Sequence, residues 1–202
     1  MISLAITICN EHQELETLLD YLQERALSPE YEIVLQIDQD NHTEEVLSVI
    51  IDRGVKHWFH PLNKDFASYK NELAKHCSGD YIFQIDADEI PTAELLEMLP
   101  SILDSNPEVD VYLVPRINTV SGITEEHILK WGWRYENERV NFPDYQWRIY
   151  RNSKLIRWKN KVHEVLEGYK QYAALPAEDE FCLLHPKTIE RQEKQNSFYN
   201  TI

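Results

Sequence analysis

Apolar positions in the first half of the chain alternate between two spacings. Short runs rich in β-branched and aromatic residues predict strands at residues 3–9, 31–37, 55–60, 81–85 and 109–114. Between them, apolar residues at i, i+3, i+4 and i+7 predict helices at residues 11–27, 43–52, 65–77 and 91–103. Strands that alternate with helices of this length are typical of βαβ units. The sequence therefore predicts a mostly parallel α/β sheet covered on both faces.

The pattern changes after Pro115. Residues 116–145 are polar and aromatic and show no clear period, which predicts an irregular segment. Residues 146–151 and 155–158 flank Asn152-Ser153, a pattern that predicts a hairpin. Two further strands and a closing helix are predicted at residues 162–166, 180–184 and 187–200. No linker or repeat interrupts the sequence, so we predict one domain, 1–202, with a parallel half (1–115) and a half with antiparallel additions (116–202).

Composition excludes several kinds of partner. The chain has 202 residues, of which 43% are hydrophobic, enough to bury a core. Its charge is 20 − 35 = −15, which argues against nucleic acid or an anionic membrane surface as a partner. A small anion remains a possible ligand if a metal supplies positive charge. Three scattered cysteines, no signal peptide and no apolar run of spanning length predict a cytoplasmic protein.

Acidic residues follow two of the predicted strands. Asp38 and Asp40 come after the second strand, and Asp86 and Asp88 come after the fourth. Parallel strands place their carboxyl ends at one edge of a sheet, where ligands of α/β folds bind. Paired carboxylates at such an edge suit Mg²⁺ or Mn²⁺, which bridge phosphate oxygens. The alternative for Asp38 and Asp40 is that they cap the following helix.

Several stretches resemble the family 2 glycosyltransferases of the GT-A fold. They are SLAITICNEHQELETLLDYL, EIVLQIDQDNHTEE, FASYKN, GDYIFQIDADEIP, FPDYQWRIYRN and KVHEVLEG, and they cover nearly the whole chain. The second half is similar to small bacterial and viral members that modify lipopolysaccharide cores or surface glycans. The resemblance implies a GT-A-type, Rossmann-like mixed sheet. It also implies metal-dependent, inverting transfer of a sugar from a nucleotide-diphosphate sugar, commonly UDP-linked, to a glycan or lipid-linked acceptor.

The same resemblance implies roles for individual residues. Asp88 would ligate Mn²⁺ or Mg²⁺, with His163 at the place of a further metal ligand and His185 as a second candidate. Asp86 would contact the ribose or the metal shell. Asp38 would bind the base, with Asp40 as the alternative in that loop. The remaining contacts to the nucleotide sugar would come from Thr7, Asn10, Glu11, Lys70 and Asn71.

An inverting transferase needs a general base that deprotonates the acceptor hydroxyl. The family's base lies after the acceptor-binding segment, often in a Glu-Asp pair, and here the matching position reads Pro143-Asp144. Asp144 is therefore the expected base, and Glu89 and Glu164 are alternatives. Trp131, Trp133 and Tyr135 would stack on acceptor sugars or cover the open end of the sheet.

Two other functions compete with sugar transfer. A sugar-phosphate nucleotidyltransferase typically needs a Gly-rich basic loop after the first strand, but residues 10–13 are Asn-Glu-His-Gln. The other is a non-catalytic carbohydrate-binding domain of the same fold, which would not turn over a nucleotide sugar. The sequence leaves open whether the chain is a complete enzyme or one domain of a longer protein. For the location, a peripheral position at the inner membrane face, or the host cytoplasm for a viral member, remain alternatives.

Overall fold

The computed structural model describes residues 1–25 and 29–199. The first half alternates strands and helices as predicted: β1 Ile2–Ile8, α1 His12–Arg25, β2 Tyr31–Asp38, α2 Glu44–Arg53, β3 Lys56–His60, α3 Phe66–Ala74 and β4 Tyr81–Asp86. Its four strands are parallel, in the order β3-β2-β1-β4. The predicted parallel α/β arrangement is therefore confirmed. Leu27, expected at the end of the first helix, lies outside the described residues.

The second half contributes most of the remaining strands. They are β5 Ile90–Pro91, β6 Val111–Ser121, β7 Tyr135–Glu136, β8 Arg139–Arg151, β9 Arg157–Lys159, β10 Val165–Glu167, β11 Tyr172–Ala174 and β12 Leu183–Thr188. The helices after β4 are α4 Ala93–Ser105, which still belongs to the first half, and α5 Glu125–Trp131 and α6 Ile189–Tyr199 of the second half, with a 3₁₀ turn at Asp179–Phe181. Asn200, expected at the end of the closing helix, lies outside the described residues. Within the described ranges, no helix combines the length and the apolar character needed to cross a membrane.

One ten-stranded mixed sheet joins the two halves. Its order is β3-β2-β1-β4-β8-β6-β12-β5, with β11 beside β6 and β7 beside β8. β8 is antiparallel to both of its neighbours, β4 and β6, whereas β12 is parallel to β6. A small antiparallel pair, β9–β10, forms a second sheet. This is the expected α/β class, mostly parallel in the N-terminal half and with antiparallel additions afterwards.

The prediction of an irregular segment at residues 116–145 was wrong. β6 and β8, with 11 and 13 residues, are the two longest strands, and both extend into this segment. Pro115 does not end β6, because it lies opposite Tyr145 in the pairing with β8. The absence of a clear apolar period reflects a strand pair that faces a polar cavity at one end rather than a core.

The predicted hairpin around Asn152-Ser153 was also wrong. β8 pairs with β4, β6 and β7, whereas β9 pairs with β10. The Asn152 amide donates to the carbonyls of Cys77 and Gly79, at 3.0 and 2.9 Å, and so directs the chain away from β8. In place of the strand predicted at 162–166, the structure has the three-residue strand β10, which begins at Val165. The segment 180–184 divides between the 3₁₀ turn and β12, and the closing helix starts at Ile189 because residues 183–188 pair with β6.

Helices cover both faces of the sheet. On one face, α1, α2 and α4 share an apolar core with the strands, and the α1 stripe is fully buried at Leu15, Leu18, Leu19 and Leu22. On the other face, α3 packs together with residues of β9 and β10. Burial on both faces explains why the strand residues of the first half read as continuous apolar runs.

A polar connection joins the strands near their amino ends. Glu32 of β2 accepts hydrogen bonds from the Ser3 hydroxyl of β1 (2.6 Å) and from the backbone and hydroxyl of Ser78 (2.6 and 2.8 Å). Gly79 follows, where a Cβ atom would lie 2.7 Å from the Ser3 nitrogen. Burial alone would raise the pKa of Glu32, but the hydrogen bonds from Ser3 and Ser78 and the neighbouring Lys56 lower it to about 2.

We predict that Glu32→Gln lowers the free energy of unfolding at pH 7 by about 1–3 kcal/mol, because charged hydrogen bonds are lost. The native pKa of Glu32 lies below its ordinary value of 4.5, so this stabilisation exists above pH 4.5 and disappears as pH falls toward 2. Urea unfolding of both proteins across this range measures it. Glu24→Gln, which removes an exposed pair with Arg25, is the control and should stay within about 0.5 kcal/mol. A difference independent of pH would contradict the assignment.

Candidate active site

A cavity of about 840 Å³ opens at the carboxyl ends of β1, β2 and β4. Nine of the ten site residues expected from the sequence line it: Thr7, Asn10, Glu11, Asp38, Lys70, Asp86, Asp88, Asp144 and His163. The alternatives Glu164 and His185 line it as well. Parallel strands that end together thus bring residues from both halves of the chain to one place. Trp133 also lines the cavity, and the ring of Trp131 packs on the ring of Trp133, with their centroids 4.6 Å apart.

Two carboxylates shape the loops at the ends of β1 and β2. Glu11 accepts the backbone N–H groups of Cys9 and Asn10, both at 3.0 Å. Asp38 is 1% exposed and accepts from the Asn41 amide (2.8 Å) and the Leu62 backbone (3.3 Å). Asp38 therefore organises its own loop rather than capping α2, whose N-cap residue is Thr43.

Cys9 lies between these two acidic residues. Burial, together with the charges of Glu11 and Asp38, raises the pKa of the Cys9 thiol to about 12. The thiol is therefore neutral at physiological pH and forms part of the cavity wall.

Lys70 and Asn71 are adjacent on α3, but Lys70 contacts residues of the cavity whereas Asn71 contacts the backbone of β9. Lys70 is buried, with its Nζ 3.1 Å from Glu164 and 3.9 Å from Asp86, and it lies over the Trp158 ring at 4.8 Å. Both polar atoms of Asn71 bond the backbone of Trp158 in β9, at 2.9 and 3.0 Å. Asn71 is not among the described residues that line the cavity. Its geometry indicates that it fastens β9 to α3.

A buried ion network connects Asp86 with Asp144. Arg148 of β8 donates to Asp86 and to Glu89, each at 2.6 Å. Arg116 of β6 donates to Glu89 at 2.8 Å and, through Nε and Nη2, to Asp144 at 3.0 and 2.7 Å. Burial alone would raise the pKa values of Asp86 and Asp144, but Arg148 and Arg116 respectively hold them below their usual range. All three carboxylates are thus held by guanidinium groups.

Asp88 faces a different set of groups. Its Oδ2 lies 3.2 Å from His185 Nε2, 3.4 Å from Arg191 and 3.8 Å from Lys187. Burial alone would raise the pKa of Asp88, but neighbouring positive charges, among them those of Lys187 and Arg191, hold it far below its usual range. His185 and Lys187 extend from β12 and Arg191 from α6, so the last described strand and helix complete this side of the cavity.

Asn118 fixes the tautomer of His185. The Asn118 amide nitrogen donates to Asp144 (2.9 Å), so its oxygen faces His185 Nδ1 at 2.6 Å and can only accept a hydrogen. Burial lowers the pKa of His185, which favours the neutral ring, and a neutral ring that bonds Asn118 Oδ1 carries its hydrogen on Nδ1. The Nε2 lone pair then faces the Asp88 carboxylate. Two acceptors directed at each other indicate a position that suits a cation.

The donor set at this position fits a divalent metal. Carboxylate oxygen and imidazole nitrogen are ligands that Mn²⁺ accepts, and Mg²⁺ and Mn²⁺ commonly take one or two protein ligands and complete their shell with phosphate oxygens and water. In the described part of the chain, no group of three or more His, Cys, Asp or Glu side chains is arranged to hold a metal by itself. Asp88 and His185 would therefore supply the protein's ligands, and a bound diphosphate would supply others.

Of the basic residues in the cavity wall, only Lys70 was expected from the sequence. Among the described residues, six basic side chains line the cavity: Lys70, Arg116, Arg148, Lys187, Arg191 and Lys194. Six carboxylates also line it, so the lining is formally neutral although the chain carries −15. The cavity therefore has its own cations for an anionic ligand, besides any metal.

Solved structures share this architecture. S. aureus TarS has 17% sequence identity with a TM-score of 0.56, and the match covers 86% of this chain and 36% of TarS. TarS 1–349 in complex with UDP-GlcNAc has 15% identity and a TM-score of 0.57, covering 89% of this chain and 60% of that one. A mannosyltransferase from Pyrobaculum calidifontis, in complex with GDP-Man and Mn²⁺, has 18% identity, a TM-score of 0.48 and coverages of 57% and 35%. The chain thus spans about a third of full-length TarS.

The mixed sheet, with a carboxylate-lined cavity at the carboxyl ends of its parallel strands, has the GT-A fold. The family model for Glycosyl transferase family 2 matches residues 3–170, which is most of the chain. The chain therefore belongs to glycosyl transferase family 2. The resemblance seen in the sequence is confirmed, and the nucleotidyltransferase alternative has no support from these findings.

We predict that Asn71→Ala destabilises the protein by about 1–3 kcal/mol without weakening nucleotide binding, because two backbone groups of Trp158 lose their partner. Thermal unfolding and nucleotide titration measure the two effects. Asn10→Ala is the comparison, since Asn10 is exposed in the cavity wall and should affect binding more than stability. Normal stability combined with lost nucleotide affinity would instead make Asn71 a ligand.

Proposed function

We propose that this enzyme transfers a sugar, with inversion, from a UDP-linked donor to a hydroxyl of a glycan or lipid-linked acceptor, in dependence on Mn²⁺ or Mg²⁺. The observation that carries the proposal is the pair of Asp88 and the His185 lone pair, 3.2 Å apart, in the same cavity as Asp144. TarS 1–349, which has a similar fold, is complexed with UDP-GlcNAc, and this supports the choice of a UDP-linked donor.

The donor's nucleotide would lie against the ends of β1, β2 and β4. Thr7, Asn10 and Glu11 border one side of this space, and Asp38 closes the bottom with a carboxylate that can accept from a base N–H. Asp40 is exposed in the same loop and is the alternative. Asp86, at the end of β4, is the carboxylate available to the ribose.

The donor's diphosphate would be held from two sides. Lys187 and Arg191 surround Asp88 and are the cations nearest to it. Asp88 and His185 would hold the metal, and His163, which lines the cavity from the segment before β10, is the other histidine to test. A divalent cation bound there would stabilise negative charge on the leaving diphosphate.

Asp144 is the best placed general base. Its side chain is 27% exposed, whereas Glu89 is fully buried and Glu164 is 15% exposed and paired with Lys70. The described contacts of Asp144 place three donor atoms on Oδ2 and only the Gln146 amide on Oδ1. Oδ1 thus has room to accept the acceptor's hydroxyl proton, and the lowered pKa keeps the carboxylate ionised at neutral pH. Attack opposite the leaving group gives inversion.

We further propose that residues 1–202 work as one catalytic domain. Residues 1–115 would bind the nucleotide sugar, and residues 116–202 would supply the base and the acceptor surface. Arg148 from the second half contacts Asp86 from the first, which supports a shared site. The cytoplasmic location stays a prediction.

We predict that Asp88→Ala abolishes metal-dependent nucleotide binding and that His185→Ala weakens it more than His163→Ala does. Calorimetric titration of UDP, GDP and dTDP, each with Mn²⁺ and with EDTA, measures this. Affinity in EDTA should not fall in Asp88→Ala, because Lys187 and Arg191 remain for the diphosphate. Asp104→Ala, at an exposed position of α4, is the control. Unchanged Mn²⁺-dependent binding in Asp88→Ala would remove Asp88 from the site, and no nucleotide binding by the unaltered protein would favour a non-catalytic domain.

We predict that Asp144→Asn leaves donor affinity nearly intact and lowers the rate of sugar transfer at least about a hundredfold, the scale of a lost general base. Asp179→Asn is the matched control, because Asp179 is likewise held by an arginine, Arg139, but outside this cavity. Transfer rates and calorimetric affinities compare the two. An active Asp144→Asn enzyme would show that the base lies elsewhere.

A further inference from the structure

Glu89 is a fully buried carboxylate with no access to a substrate. It follows Asp88 directly in the chain, and its own side chain is 0% exposed. Its Oε1 accepts from Arg116 (2.8 Å) and from Arg148 (2.6 Å), and its Oε2 accepts the backbone N–H of Asp86 at 3.2 Å. A carboxylate so buried is costly unless its oxygens are bonded in this way.

The two arginines bonded to Glu89 each reach a second carboxylate in the cavity wall. Arg148 uses the same Nη2 atom for Glu89 and for Asp86. Arg116 uses Nη1 for Glu89 and keeps Nε and Nη2 for Asp144. Glu89 thus stands between the carboxylate on the donor side, Asp86, and the proposed base, Asp144. Each guanidinium is shared between two acceptors instead of closing on one.

This sharing determines what loss of Glu89 would do. Arg116 would lose the partner of Nη1 and would be held only through the single oxygen, Asp144 Oδ2, that Nε and Nη2 share. Two like charges would also face each other without the anion between them. The guanidinium of Arg116 would then move relative to Asp144, and the carboxylate bonded to it would move too. Small displacements of a reacting group lower rates strongly.

We propose that Glu89 is a positioning residue for sugar transfer, which acts through Arg116 on Asp144 and through Arg148 on Asp86. The inference rests on the proposed function, because it takes Asp144 as the base. Glu89 touches no reacting atom. Its effect is to hold the base and the donor-side carboxylate in one fixed arrangement.

A double-mutant cycle tests this action at a distance. Glu89→Gln removes the charge at constant size, and Arg116→Lys keeps a cation but loses the fork that reaches two carboxylates. The two single variants and the double variant are compared for kcat, for donor KM, for UDP affinity and for thermal stability. Arg139→Lys is the control, because it alters an equivalent fork to Asp179 outside the cavity.

We predict that Glu89→Gln and Arg116→Lys each lower kcat by about tenfold or more, with a smaller effect on UDP affinity. The double variant should be within about threefold of the slower single variant, because both changes break the same connection. Arg139→Lys should retain kcat. Independent effects that multiply in the double variant, or a normal kcat in Glu89→Gln, would overturn the proposal.

If Glu89→Gln does not fold, Glu89→Asp replaces it in the test. This variant keeps the charge, but its shorter side chain cannot reach both arginines. Its kcat should fall in the same coupled way. Failure of both variants to fold would make Glu89 a structural residue and overturn the proposal. The role of Asp144 as the base is tested separately with Asp144→Asn. If Asp144→Asn is active but the effects of Glu89→Gln and Arg116→Lys are coupled, only the assignment of Asp144 as the base is refuted. If Asp144→Asn is inactive but the two effects multiply independently, only the positioning role of Glu89 is refuted.

Discussion

Carboxylates that meet at the edge of a parallel sheet repel one another unless each receives a counter-charge, and the architecture of this enzyme follows from that requirement. The end of β4 and the loop after it place three acidic side chains within four residues. β8, inserted antiparallel between β4 and β6, adds a fourth and also brings an arginine. Hydrogen bonds and ion pairs then connect Asp86, Arg148, Glu89, Arg116, Asp144, Asn118 and His185 in turn, and Asp88 lies 3.2 Å from His185 at the end of this series.

Such a network is poor evidence of stability in itself, because burying charges costs free energy that the pairing only partly offsets. Its value lies in geometry. Each member between Asp86 and His185 is bonded to two others, so neither Glu89 nor Asp144 can rotate alone. The exception is the contact between Asp88 and His185, where two acceptors face each other. The one electrostatically incomplete position in this described chain of contacts is thus where a substrate complex would bring positive charge.

The sequence predicted what depends on local patterns. Periodicity identified the parallel half, and the acidic pairs after β2 and β4 predicted the edge of the sheet at which the cavity opens, because strand ends and their loops are contiguous in the chain. It could not predict the pairings between distant residues. His185 lies 97 residues from Asp88, and Arg116 lies 28 from Asp144. Pro115 resembled a breaker, and the aromatic run after it concealed two long strands, because nothing local shows that β8 lies between β4 and β6.

The position of β8 has a consequence for how such an enzyme diversifies. Asp144 and Arg148 are four residues apart on one strand, about 13 Å along its axis at roughly 3.3 Å per residue. Asp144 lies opposite Arg116 of β6, and Ile149, next to Arg148, lies opposite Tyr112 of β6 and Phe83 of β4, so strand pairing fixes that spacing near both ends. Residues 122–134, by contrast, leave the sheet and return to it at β7. A change in the length or composition of this segment would leave the distance between Asp144 and Arg148 unaltered, so under the proposed function the surface offered to an acceptor could vary while the reacting groups keep their arrangement.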